Sequence, residues 1–475
     1  MVGDDEESDY EECAFTFFSP VEMLGEPATL KEALESIDAE EWKKAMESEL
    51  KSIEGNGTWE LVELPEGRKA ITSKWLFKIK SNADGKIERY KSRFLGKGYQ
   101  QKEKVDYKEL FAPVVKPTTL RTLLAGATIK GWVVKQIDVT TVFLNGILEE
   151  EIFFAKPDGF DDGSGRVLKL KKALYALKQA PRQWYLNVRG VLEEIGFTPS
   201  TANHSLFMLG EGEQRSFMVV YVDDILIFSP SSDLVKEVML KLQDKFKCKA
   251  LGDVNFYLGL HIERDVEKRC MRCVKGPDEE SVGEEERYRF HSLVGILITL
   301  GMELVLGGRS SVVLTGHSDA SWADDQATQR SSLGYTFSLG SGSVSWRSTR
   351  SSSVLDSSCE VEIYAGAMAA LELRWLTYLL TDLEERPHSP PVLYVNNKAM
   401  LALCREQRME HRTKHIALRF FHARELQRHG QLRLSYVASR ANTADVFTKA
   451  LGSGDHQHLC IALGLVPTLP HLLVA

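Results

Sequence analysis

The tetrapeptide YVDD at Tyr221–Asp224 sets two aspartates side by side between two apolar runs, FMVV before it and ILIF after it. That pattern reads as strand, tight turn and strand, with both carboxylates at the tip of a hairpin. Like charges this close repel, and neither can be buried without a partner. A divalent cation would supply one. Magnesium takes hard oxygen ligands, and paired ions held by clustered carboxylates clamp the attacking and leaving oxygens of a phosphoryl transfer. The plainer alternative is a polar turn, where Asp is common.

A third carboxylate lies upstream in WVVKQIDVTTVFLNG, where an apolar, β-rich run from Trp132 ends in Asp138 and Val139 and turn-forming Asn145 and Gly146 follow. Further ordered segments accompany it: KWLFKIK from Lys74, ERYKSRFLGKGYQQKEKVDYKELFAPV from Glu88, LKKALYALKQAPRQWY from Leu170 and LGDVNFYLGLHI from Leu251. With YVDD, these make the chain resemble the reverse transcriptase and RNase H part of a copia-type retrotransposon polyprotein. The resemblance covers most of residues 28 to 265 and resumes from about Ser311 to Leu451.

The resemblance implies an RNA-directed DNA polymerase. Asp138, Asp223 and Asp224 would hold two magnesium ions, with manganese as an alternative and the Val139 carbonyl as an added ligand. Phe143 falls at the steric gate against a ribose 2′-hydroxyl; it also reads as a core aromatic. Lys78 and Arg93 would meet the triphosphate of a dNTP, a guanidinium fork being suited to phosphate oxygens. Tyr175, Lys178 and Gln179 would lie under the templating base pair. The implied partners are an RNA template, a DNA primer, dNTPs and an RNA/DNA hybrid.

A second acid set follows the first. VLTGHSDASWADD puts Asp319 at the end of a strand, SSCEVEIYAGAMAALELRWL puts Glu360 at the start of a helix with Ile363, Met368 and Leu371 on a core face, and ASRANTADVFTKAL supplies Asp445. Singly, Glu360 and Asp445 are ordinary acids of helix N-termini. In this order they resemble RNase H, where carboxylates from separate elements converge on two magnesium ions.

Four departures from the family stand out. LYVNNKAM places Asn396 where the family has Asp, so an amide oxygen would meet the metal without a charge. Ala176 replaces a glycine, although alanine resists positive φ. Val142 is bulkier than the family's alanine. Between His261 and Val312 the thumb is short, with only YRFHSLVGILITL from Tyr288 left of it. These point to an impaired RNase H part and to weak hold on the duplex; the alternative is a decayed remnant that at most binds nucleic acid.

Composition agrees. The net charge of -8 is concentrated in seven acids within the first twelve residues and six more between Pro277 and Glu286, without which the remainder is +5. Such segments read as solvated leads or linkers. Lys74 to Lys102 is basic with Trp75, Phe77, Tyr90, Phe94 and Tyr99 interleaved, a backbone-binding surface or a charged hairpin face over an aromatic core. No stretch is long and apolar enough to cross a membrane, the N-terminus lacks the basic start of a signal peptide, and seven scattered cysteines oppose a disulfide framework. The expectation is a soluble cytoplasmic protein, with a virus-like particle or the nucleus as alternatives. Cys270 and Cys273 form one CxxC, too few ligands for zinc. His411 and His415, four apart, read as a polar helix face rather than a metal pair.

The elements that must position these residues give an α/β (α+β) chain: a palm and fingers polymerase unit followed by an RNase H-like mixed sheet. Residues 1–27 form an acidic disordered lead, 28–265 the fingers and palm, 266–310 a thumb and connection remnant with an acidic linker, 311–451 the RNase H-like unit and 452–475 a tail. Asp38 with Glu41 makes a capping-box pattern ahead of a helix carrying Trp42, Met46, Leu50 and Ile53 on one face. Further helices are expected near Thr119 to Ile129 and from Ala180 to Ile195.

Overall fold

The computed structural model describes residues 26–81, 87–258, 260–275, 302–308, 313–385, 389–405 and 417–467. The acidic lead before residue 26, the acids from Pro277, the segment from Tyr288 and the His411/His415 pair lie outside them.

The chain opens with α1 (Leu30–Glu35) and α2 (Ala39–Gly55), whose Trp42, Met46, Leu50 and Ile53 are all buried. The capping box does not form. Asp38 makes no side-chain bond to the helix; its carboxylate accepts the Tyr90 hydroxyl instead, and Glu41 pairs with Lys44 at 2.7 Å. This helix packs on a hairpin of β2 (Ser73–Ser81) and β3 (Ile87–Gly96), after the short β1 (Trp59–Val62). The period of two sorts the hairpin. Trp75, Phe77 and Phe94 are buried, with Phe77 edge-on to Trp42, so Lys78, Lys80, Arg89, Lys91 and Arg93 share the opposite face.

Next come α3 (Pro117–Lys130), β4 (Val133–Val139), β5 (Ile147–Phe154), β6 (Val167–Lys172), α4 (Ala180–Ile195), β7 (Thr198–Pro199), β8 (Leu206–Leu209), β9 (Ser216–Tyr221), β10 (Asp224–Ser229), α5 (Ser232–Lys245) and β11 (Cys248–Asp253). One antiparallel sheet, in the order β11-β4-β10-β9-β8-β7, forms the centre. Its two faces bury alternate residues. Val134, Val219, Leu226 and Phe228 meet α3, while Ile137, Val220, Ile225 and Ile227 meet α4 and α5.

The expected remnant and tail contribute regular structure. β12 (Phe256–Tyr257), β13 (Leu260–Asp265), β14 (Cys270–Lys275), β15 (Met302–Gly307) and β21 (Leu465–Pro467) pair in that order into a sheet. A boundary at residue 265 would therefore cut the β13–β14 hairpin. Cys270 and Cys273 are three apart on a strand and so point to opposite faces.

The last unit contains β16 (Leu314–Ser321), β17 (Ser332–Leu339), β18 (Gly342–Arg350), α6 (Ser358–Asp382), β19 (Val392–Val395), α7 (Lys398–Arg405), α8 (Ala417–Arg428), β20 (Arg433–Tyr436) and α9 (Ser453–Ala462). Its sheet runs β18-β17-β16-β19-β20, with β19 parallel to both neighbours. Along α6, Ile363 is buried but Leu371 is 48% exposed, so the core face runs through Ala370 and Leu373 instead. One apolar cluster joins α3 and the central sheet to this unit. Arg121 stacks on Trp346 at 3.6 Å, and the Trp375 indole donates to the Ala202 carbonyl across the same seam. Among the described residues no helix is long and apolar enough to cross a membrane.

Candidate active sites

The sheet register brings the first acid set together. β4 and β10 pair antiparallel with Asp138 opposite Asp224, and Tyr221 pairs with Asp224 across the two-residue turn Val222-Asp223. The Val139 N–H donates to the Asp223 carbonyl at 2.9 Å, tying the turn to the neighbouring strand. Val222 adopts φ 52°, a left-handed conformation that a β-branched residue resists. The Trp184 indole, buried on α4, holds its carbonyl at 2.7 Å.

Burial pushes the Asp223 carboxyl up, with Asp138 adding to the rise and Arg93 and Lys91 opposing it. Burial likewise raises Asp224 to about 6, although Gln136 donates to it at 3.0 Å. These are half-buried carboxylates short of positive charge, and their oxygens suit a hard cation.

One wall of this site is aromatic. Phe143 meets Tyr175 edge-on at 5.1 Å, and the Arg93 guanidinium lies 5.0 Å from the Tyr175 ring centre. Tyr175 is pushed up to about 12 by burial. Ala176 beside it takes φ 66°, the conformation a glycine would supply. The chain has no room to do otherwise: Gly96 N–H donates to the Tyr175 carbonyl, and a Cβ on Gly98 would stand 2.1 Å from the Ala176 oxygen.

Three other expected residues are otherwise engaged. Gln179 is fully buried, its amide bonded to Gln101 and to the Asp106 carbonyl, so it is a tie between loops and does not face a template. Lys178 donates to the Tyr107 hydroxyl at 3.1 Å. Lys78 pairs with Glu26 at 2.7 Å, and the same carboxylate accepts the Ile79 N–H. Lys91, which the sequence did not single out, faces the site with Arg93; its signal was the two-residue alternation along β3.

The second acid set also converges, with one exchange. Asp319 lies toward the end of β16, the central strand of its sheet, and its carboxylate accepts from Asn396 Nδ2 at 2.8 Å, Lys449 Nζ at 2.9 Å and the Thr448 hydroxyl. Asp445, in the 3-10 turn Thr443–Phe447, meets Lys449 at 3.1 Å. Glu360 turns back to the helix start: the Ser357 hydroxyl accepts the Glu360 N–H at 3.2 Å, and the Glu360 carboxylate accepts the N–H of Asp356, one residue before the cap, at 2.8 Å. It is Glu362, two residues on, that feels the Asp319 and Asp445 charges; burial, then Asp319, raises it to about 8. The S-x-x-E spacing of Ser357 and Glu360 was the sequence signal for this exchange. Glu362 Oε2, Asp445 Oδ1 and Asn396 Oδ1 are buried with no hydrogen-bond partner among the described residues, and such oxygens fit a cation. Among the described residues no three His, Cys, Asp or Glu side chains stand together in a geometry ready to hold a metal ion.

Residues 56–273 match the family described as reverse transcriptase (RNA-dependent DNA polymerase). The chain is 30% identical to the retrovirus-related Pol polyprotein from transposon RE2 of Arabidopsis thaliana over 96% of this chain and 36% of that one. It is 31% identical to the polyprotein from transposon RE1 of the same plant, over 94% and 35%, and 30% identical to that from transposon TNT 1-94 of Nicotiana tabacum, over 90% and 38%. It thus spans little more than a third of these relatives. A foamy viral protease-reverse transcriptase solved with dsDNA aligns at 11% identity and a TM-score of 0.39, over 84% of this chain and 83% of that one. On the sequence matches, the chain carries a reverse transcriptase domain at residues 56–273 and is similar over most of its length to copia-type retrotransposon Pol polyproteins.

Proposed function

We propose that the chain is an RNA-directed DNA polymerase acting at Asp138, Asp223 and Asp224 on an RNA template, a DNA primer and dNTPs. The observation that carries this reading is the pairing of Asp138 with Asp224 across β4 and β10, with Asp223 in the turn between. These three carboxylates and the Val139 carbonyl would hold two magnesium ions, or manganese in their place. The ions would supply charge to the attacking 3′-oxygen and the leaving pyrophosphate.

The protein's own part is positioning. Trp184 fixes the turn, Gln136 orients Asp224, and Phe143 on Tyr175 closes the wall where a sugar would lie. Lys91 and Arg93 face the carboxylates from the fingers hairpin. On that face Lys78 stands opposite Lys91 and Lys80 opposite Arg89. Lys78 is already held by Glu26, but Lys80 and Arg89 are like charges paired across strands, which is unfavourable, and a triphosphate or a nucleic-acid backbone would relieve them.

The second set, Asp319, Glu362, Asn396 and Asp445, supports an RNase H-like site for an RNA/DNA hybrid, impaired because Asn396 donates to Asp319 where an acid would share a cation. A decayed remnant is the second reading, favoured by Ala176 at positive φ and by Asn396. We place the fingers and palm at residues 28–265 and the RNase H-like unit at 311–451, with β21 after it completing the sheet that β12 and β13 begin.

Primer extension on an RNA template with magnesium tests the proposal. Extension that Asp223→Asn abolishes supports it. No extension by a folded, template-binding protein would leave the remnant reading standing.

A further inference from the structure

We propose that Lys449 is a resident counter-ion of the RNase H-like site, holding the place between Asp319 and Asp445 that a divalent cation would bridge and so setting how tightly that cation binds. The inference rests on the RNase H-like reading of this pocket.

Asp319 is wholly buried and already accepts three donors, from Asn396, Thr448 and Lys449. Its Oδ1 accepts from both Asn396 and Lys449 and its Oδ2 from Thr448 alone, so an ion can reach Oδ1 only if a donor leaves. Thr448 is buried, and Asn396 is fixed at the end of β19. Lys449 differs from both. Its side chain is 33% exposed, and a four-carbon stem lets the ammonium swing to water without moving the backbone.

The ammonium does not complete the pocket. It meets Asp319 Oδ1 and Asp445 Oδ2, at 2.9 and 3.1 Å, but leaves Asp445 Oδ1, Glu362 Oε2 and Asn396 Oδ1 without a partner. Asp445 is 4% exposed and Glu362 8% exposed. Three carboxyls share one ammonium in a dry place, and the oxygens it does not reach are left to a proton or to a second cation. Lys449 and a divalent ion therefore compete for the same carboxylates.

The test uses the full chain carrying Asp223→Asn and Asp224→Asn, which silences the polymerase carboxylates, with Mn2+ binding followed by electron paramagnetic resonance. Lys449→Met should bind Mn2+ roughly tenfold or more tighter than this parent. Lys449→Arg should match the parent, and adding Asp319→Asn should erase the gain. Equal, Asp319-dependent affinity with lysine and with methionine would overturn the role of Lys449 while leaving the RNase H-like reading intact. No Asp319-dependent Mn2+ binding in either protein would overturn both. Should Lys449→Met fail to fold, acylation of the lysines mapped by mass spectrometry decides on the parent. Labelling of Lys449 should rise as Mn2+ saturates, and labelling that does not change would overturn the proposal.

Discussion

The indole of Trp184 donates to the carbonyl of Val222 at 2.7 Å, so a buried residue of α4 fixes the left-handed turn that presents Asp223. Trp184→Phe leaves that carbonyl unpaired, at a cost of about 1–3 kcal/mol. Denaturant unfolding should show the loss. Primer extension should fall by roughly tenfold or more while primer–template affinity holds.

Asp223→Asn should lower extension by more than about a hundredfold, some 3 kcal/mol in the barrier. Template binding, read by fluorescence anisotropy, should be unchanged. Retained extension would mean that the carboxylate pair is not the reacting centre.

Ala176 and Gly98 meet at one crowded point, and their substitutions should act in opposite directions. Ala176→Gly removes left-handed strain and should stabilise the fold by about 1 kcal/mol. Gly98→Ala drives a methyl into the Ala176 carbonyl and should destabilise by about 1–3 kcal/mol. Urea midpoints of the two variants check the pair.

Asn396→Asp replaces a donor to Asp319 with a second buried acid. Without divalent ions the melting temperature should drop, by about 1–3 kcal/mol of stability, and magnesium should restore it. Cleavage of an RNA/DNA hybrid should rise above the parent. A variant that is destabilised with and without magnesium, and that does not cleave, would mean the pocket cannot use the added charge.

Glu360→Ala and Glu362→Gln separate cap from site. The first should cost about 0.5–2 kcal/mol, the range for a helix cap, with Mn2+ affinity kept. The second should weaken Mn2+ binding by roughly tenfold or more. A reversed pattern in a calorimetric titration would restore Glu360 to the site.

Much of this was legible in the sequence because it depends on short-range physics. Apolar runs around YVDD and the alternation into Asp138 mark strands, and strands bounded by a two-residue turn leave few registers that bury their apolar faces, so the place of Asp223 and Asp224 at the hairpin tip follows from local pattern. The helix from Ala180 to Ile195 and the buried face of α2 follow from period in the same way. Asp38 did not cap α2 because a tertiary partner, the Tyr90 hydroxyl, took its carboxylate. Other outcomes were settled only by long-range packing. β14, β15 and β21 look irregular in sequence because their partners lie far along the chain, and only their mutual pairing makes them a sheet. Glu360 and Glu362 are near-equivalent as letters, yet one turns back to the helix end and the other turns toward Asp319. Gln179 and Lys78 were drawn from the expected site by Gln101, Asp106 and Glu26. The sequence by itself determined which acids this protein carries and on which local elements; the tertiary structure decided which of them face one another, because that depends on the neighbours each side chain meets across the fold.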